Sequence, residues 1–117
     1  MSRSGRELQI TVCWSAGWTI YLSGELDAAS ASQLDRIGAA LAGARIAAAD
    51  FDLSGVTFID NAGWDNLAAA MEAVEASGAL ARATHPSPSV RRLLEILGAF
   101  QTVDGRGANR PHLATSA

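Results

Sequence analysis

The hydrophobic period of this chain changes from two to nearly four before residue 43, and that change limits the folds open to it. Residues 8–15, LQITVCWS, alternate, with Leu8, Ile10, Val12 and Trp14 on one side and Gln9, Thr11, Cys13 and Ser15 on the other. A period of two marks a half-buried strand. Ala16-Gly17 supplies a short turn, and WTIYLSG then places Trp18, Ile20 and Leu22 on one face of a second strand. The two segments read as an antiparallel hairpin. In SASQLDRIGAALAG the pattern becomes helical: Leu34, Ile37 and Leu41 follow at i, i+3 and i+7. Ser30 and Gln33 have the spacing of a capping box, and Gly43 reads as the stop.

The alternation of types continues downstream. A strand is expected over about 47–53, where Phe51 and Leu53 interleave with Asp50 and Asp52. Leu67, Ala70, Met71 and Val74 form the apolar stripe of a second helix ending at Gly78. ALARAT is expected as a strand from its place in the order. SPSVRRLLEILG is the clearest helix, capped by Ser87, opened by Pro88, striped by Val90, Leu93, Leu94 and Leu97, and ended by Gly98. A last short strand is expected over 100–104, followed by a polar tail, GRGANRPHLATSA, read as disordered. Two strands followed by alternating helix and strand predict an α/β domain with a mixed sheet, its parallel part built by right-handed crossovers.

At 117 residues the chain fits one domain: a flexible 1–7, a folded 8–104 and the tail 105–117. The net charge of −3 supplies no basic surface for nucleic acid or an anionic membrane. Cys13 is the single cysteine, which leaves no intrachain disulfide and no cysteine-based metal cluster. In a sheet covered on both faces Cys13 would be core, which is the expectation; exposed, it would be open to an intermolecular disulfide under oxidation. The N-terminus carries no apolar signal region, and no run approaches the roughly 18 apolar residues of a membrane span. A cytoplasmic location is the expectation.

The stretch DLSGVTFIDNAGWDNL, residues 52–67, reads as strand, turn and helix start. A loop entering a helix presents free N–H groups and the positive end of the helix dipole, which suit an anion. Taken alone, Asp60 or Asn61 is a cap for the helix beginning near Gly63. Together with LSGELDAASASQL upstream and PSPSVRRLLEILGAF downstream, this stretch resembles the STAS domain, and within it the stand-alone bacterial anti-sigma factor antagonists. The resemblance spans about residues 8–104.

That resemblance implies a single STAS-like α/β domain and a non-enzymatic partner switch in transcription regulation. Its relatives bind an anti-sigma factor that is also a GHKL-type serine kinase. The kinase phosphorylates a Ser or Thr after the acid of the turn and binding is lost; a PP2C-type phosphatase restores it. Carried onto this chain, the acceptor position is Asn61, Asp60 is the preceding acid, and Asp27 is an acid close to the acceptor. Asp27, Asp60, Asn61, Ala62, Gly63, Trp64 and Leu67 would form the partner-binding surface. No cofactor or metal is implied.

Asn61 departs from this pattern, because a carboxamide offers no hydroxyl to phosphorylate. Phosphorylation adds roughly 1.5–2 negative charges; neutral Asn61 corresponds to the binding-competent form. Ser54 and Thr57 are nearby hydroxyls that would restore a switch. Trp64 stands where the family usually has an aliphatic residue, either as an interface anchor or folded onto the core. Asp50, Asp52, Asp60 and Asp65 cluster without a histidine and read as solvated or capping groups. His85 and His112 have no zinc or triad spacing, GRGANR lacks the context of a phosphate loop, and Arg91 and Arg92 read as solvent-facing. Two other roles stay open: a scaffold or regulatory subunit of a membrane (lipid) transporter or stress-signalling complex, and a nucleotide- or lipid-sensing domain with a pocket beside the turn.

Overall fold

The structure is a computed structural model describing residues 7–104, with side chains through residue 98. Strands β1 (Gln9–Trp14) and β2 (Trp18–Leu26) form the hairpin, paired antiparallel from Gln9↔Ser23 to Trp14↔Trp18. A 3-10 turn (Ala28–Ser30) leads into α1 (Ala31–Gly43). Then follow β3 (Ala48–Ile59), α2 (Asn61–Ala76), β4 (Leu80–Thr84) and α3 (Pro88–Asp104). The four strands lie in the order β1-β2-β3-β4, with β2, β3 and β4 parallel. This is the mixed α/β sheet that the sequence pattern predicts.

The core lies between the sheet and α1 and α2. Ile20, Leu22 and Leu26 of β2 and Ala49, Phe51 and Leu53 of β3 meet Leu34 and Leu41 of α1 and Leu67, Met71 and Val74 of α2, all buried. The two helices approach closely at Gly38, where a side chain would press on the Ala70 backbone at 3.1 Å. Tyr21 and Ser23, which alternate with the buried residues of β2, are exposed. Among the described residues the hairpin half of the sheet is therefore covered on one face only.

That one-sided cover overturns the expectation for Cys13, which is exposed. It also limits β1: Leu8 is buried, but Val12 and Trp14 on the same side are 43% and 63% exposed, because cover does not reach that end of the edge strand. The strand expected over 47–53 continues to Ile59, bent by register shifts opposite Tyr21/Ser23 and Gly24/Glu25. Its first part pairs with β4 from Ala48 to Asp52. Its later part meets α3, where Ser89 Oγ donates to the Thr57 carbonyl at 2.9 Å.

Two helix boundaries also differ. The capping box lies one step upstream of Ser30/Gln33: Asp27 caps the 3-10 turn and Ser30 reaches back to it, while Gln33 Nε2 donates to the Leu8 carbonyl at 2.9 Å. Gly98 does not end α3, which runs to Asp104 and replaces the expected strand over 100–104. A glycine stops a helix by adopting the left-handed conformation. Gly78 after α2 does so, at φ 100°, whereas Gly98 stays helical. The expected tail, 105–117, and His112 within it lie outside the described residues.

Candidate functional site

The chain leaves β3 at Ile59 and turns into α2 through Asp60. Asp60 is in extended conformation, and its carboxylate accepts the Gly63 N–H at 2.8 Å, satisfying one of the free donors of the first turn. Its carbonyl accepts the Trp64 N–H at 2.9 Å, and its own N–H donates to the Leu26 carbonyl at 3.3 Å. The capping role read from the sequence thus belongs to Asp60. Asn61 is the first helical residue and its side chain is exposed.

Gly63 is buried because it packs against the end of β2: a Cβ there would fall onto the Leu26 carbonyl. Only glycine permits that approach. Close by, Asp27 is 8% exposed, and its carboxylate accepts the Ala29 N–H at 3.0 Å. Its carbonyl accepts Asn66 Nδ2 at 2.9 Å. The carbonyls of Leu26 and Asp27 are thus held by the cap and the second turn of α2 respectively. The sequence reading missed Asn66, and no local pattern would have found it, since its partner lies 39 residues away.

Trp64 and Leu67 point inward, 1% and 0% exposed. Of the two readings of Trp64, the core one describes its position. Its Nε1 has no hydrogen-bond partner among the described residues. The outer surface around the turn is made instead by Asn61, half-buried Ala62, Asp65 and, from the neighbouring loop, Ala28 and Ala29. Ser54 Oγ donates to Asp52 at 2.7 Å and Thr57 Oγ1 to the Gly24 carbonyl at 3.2 Å.

The other acids are engaged locally. Asp50 pairs with Arg82 at 3.1 Å on the open face of the sheet. Asp52 is 9% exposed inside β3, accepts the Ser54 N–H at 2.9 Å and meets His85 Nδ1 at 3.4 Å, so it is neither solvated nor a helix cap, the two roles expected of it. Among the described residues no group of three or more His, Cys, Asp or Glu is placed to hold a metal. No helix among them is long and apolar enough to cross a membrane. A solvent-open concavity lined by Ala42, Arg45, Ile46, Ser77 and Gly78 lies at the C-terminal ends of α1 and α2, away from the Asp60 turn.

The family model described as "Mlab, STAS domain" matches residues 15–103. This chain belongs to the STAS family. Among solved structures, an anti-sigma factor antagonist from Mycobacterium paratuberculosis is similar at a TM-score of 0.67 and 26% identity, with 82% of each chain covered. The anti-sigma factor antagonist SpoIIAA in its unphosphorylated form has a TM-score of 0.59 at 20% identity, over 95% of this chain and 90% of that one. The Bacillus cell fate determinant SpoIIAA in its phosphorylated form has 0.58 at 21% identity, over 94% and 93%. These last two likenesses are of fold alone. No curated protein matches the sequence. The STAS domain described here thus resembles the anti-sigma factor antagonists in architecture and, for the mycobacterial protein, in sequence.

Proposed function

We propose that this STAS domain is an anti-sigma factor antagonist whose binding surface is held permanently in the receptive state. Its partner is an anti-sigma factor of the GHKL serine-kinase type, and the domain itself performs no catalysis. The observation that carries the reading is the position of Asn61. It is exposed at the first residue of a capped helix, where relatives carry the phosphorylated hydroxyl. An amide there is neutral and has no hydroxyl to esterify, so the repulsion that phosphorylation introduces does not arise. Asn61, Ala62 and the Asp27 loop form the contact surface; Asp60 and Gly63 shape it from beneath, and Trp64 and Leu67 support it from the core.

The test is capture from native lysate with Mg-ATP present, comparing wild type with Asn61→Ser and reading bound proteins and intact mass. Wild type should retain a kinase of this type. The serine variant should gain one phosphate and then release it. Failure of both proteins to retain such a kinase would overturn the reading, and phosphate on Ser54 or Thr57 would remove its permanent character.

A second reading keeps the STAS domain and makes it a regulatory subunit of a membrane (lipid) transporter, a role the family resemblance equally allows. The same capture decides for it if a membrane complex is retained in place of a soluble kinase.

A further inference from the structure

The sheet has two edges, and they differ in protection. Strand β4 carries Arg82, 52% exposed and paired with Asp50. Charge on an edge strand is a common guard against edge-to-edge association. Strand β1 lacks such a guard. Charged residues make up 18% of the chain, yet none occurs from Leu8 to Gly24, which covers every residue of the β1–β2 pairing. No proline or bulge interrupts β1, and its pairing with β2 is regular throughout.

An edge strand leaves the outward N–H and C=O groups of alternate residues without a ladder partner. In β1 the carbonyl of preceding Leu8 is taken by Gln33, so among the described residues the open stretch is Gln9–Trp14. Val12 and Trp14 are exposed beside it, the latter tilted against Trp18 at 5.2 Å between ring centres. The surface thus offers backbone hydrogen bonds and apolar side chains, with no charge for an oppositely charged partner to recognise.

We propose that β1 pairs with β1 of a second copy of this chain, joining two four-stranded sheets into one. Symmetry fixes the geometry. Antiparallel pairing of identical edges requires a two-fold axis perpendicular to the sheet, which keeps the helices of both copies on one side. Residues directly opposite must then share a face, so the axis passes through a residue pair. Centred on Val12, the register sets Val12 against Val12, Ile10 against Trp14 and Thr11 against Cys13. Aliphatic–aromatic cross-strand pairs of this kind are favourable, and the uncharged strand meets no repulsion from its own copy. This inference is independent of the reading of Asn61.

The test uses the full chain. Sedimentation velocity across the micromolar range should show wild type passing from monomer to dimer. Val12→Lys and Trp14→Lys, both at exposed positions, should raise the dimer Kd at least about tenfold by placing charge in the interface, with unchanged thermal melts of the monomer. Hydrogen exchange should protect amides of residues 9–14 increasingly with concentration. Thr11→Cys should give, under mild oxidation, a dimer linked between positions 11 and 13. A monomer at every concentration would overturn the proposal. So would a dimer indifferent to both lysines. So would β1 amides equally protected at all dilutions, since a segment of the same chain would then cover the edge.

Discussion

Asn61 occupies the first turn of α2 with its side chain in solvent, so its charge can be changed without disturbing the core. Asn61→Asp places a negative charge at the positive end of the helix dipole and should leave stability unchanged or raise it by about 0.3–1 kcal/mol in urea unfolding. If the antagonist reading holds, the same change should weaken capture of the partner at least about tenfold. Gly63 beside it has no such freedom. Gly63→Ala drives a methyl group onto the Leu26 carbonyl and should cost about 3 kcal/mol. Trp64 gives a third test. Its buried indole N–H has no partner among the described residues, so Trp64→Phe removes a desolvated donor while shrinking the side chain. The two effects oppose, and the net loss should stay below about 1 kcal/mol; a loss near 3 would mean that a water holds the nitrogen. The sequence exposed the oddity of Trp64 but not its direction, because the tryptophan lies one turn before Leu67 and both surface and core are geometrically open to such a position.

The helices and strands were legible where periodicity alone decides. The stripe of Leu67, Ala70, Met71 and Val74 is buried throughout, and Leu34 and Leu41 face it from α1. What periodicity does not carry is cover. Alternation put Val12 and Trp14 on one side with Leu8 and Ile10, and the register sets that side with Ile20 and Leu22, but burial depends on whether a helix reaches that far along the edge strand. Cys13 was misjudged for the complementary reason, that nothing in its own strand tells whether the opposite face is roofed. Caps were partly legible: Asp60 acts as the spacing suggests, whereas Ser30 and Gln33 have the right types but serve Asp27 and the Leu8 carbonyl. Removing the true cap of α2 with Asp60→Ala should cost about 1 kcal/mol. Hydrogen exchange at Gly63 and Trp64 should accelerate first, with the C-terminal turns of α2 less affected.

Across the whole molecule, the candidate surface is assembled from chain segments that meet only on folding. The mixed sheet brings the end of β2 beside the end of β3, the Asp60 N–H and Asn66 amide bind the Leu26 and Asp27 carbonyls, and Gly63 allows the approach. The central motif was readable in the linear sequence, but its union with the Asp27 loop depends on the parallel pairing Leu26↔Ile59, which no local pattern specifies. The practical consequence concerns inhibitors and antibodies. A synthetic peptide copying residues 58–68 would carry the turn without the loop that braces it, and should compete with the intact domain for the proposed partner at least about a hundredfold less effectively in a displacement assay. Antibodies raised against that peptide should likewise prefer denatured protein, whereas those raised against folded protein should recognise a discontinuous epitope that vanishes on a denaturing blot.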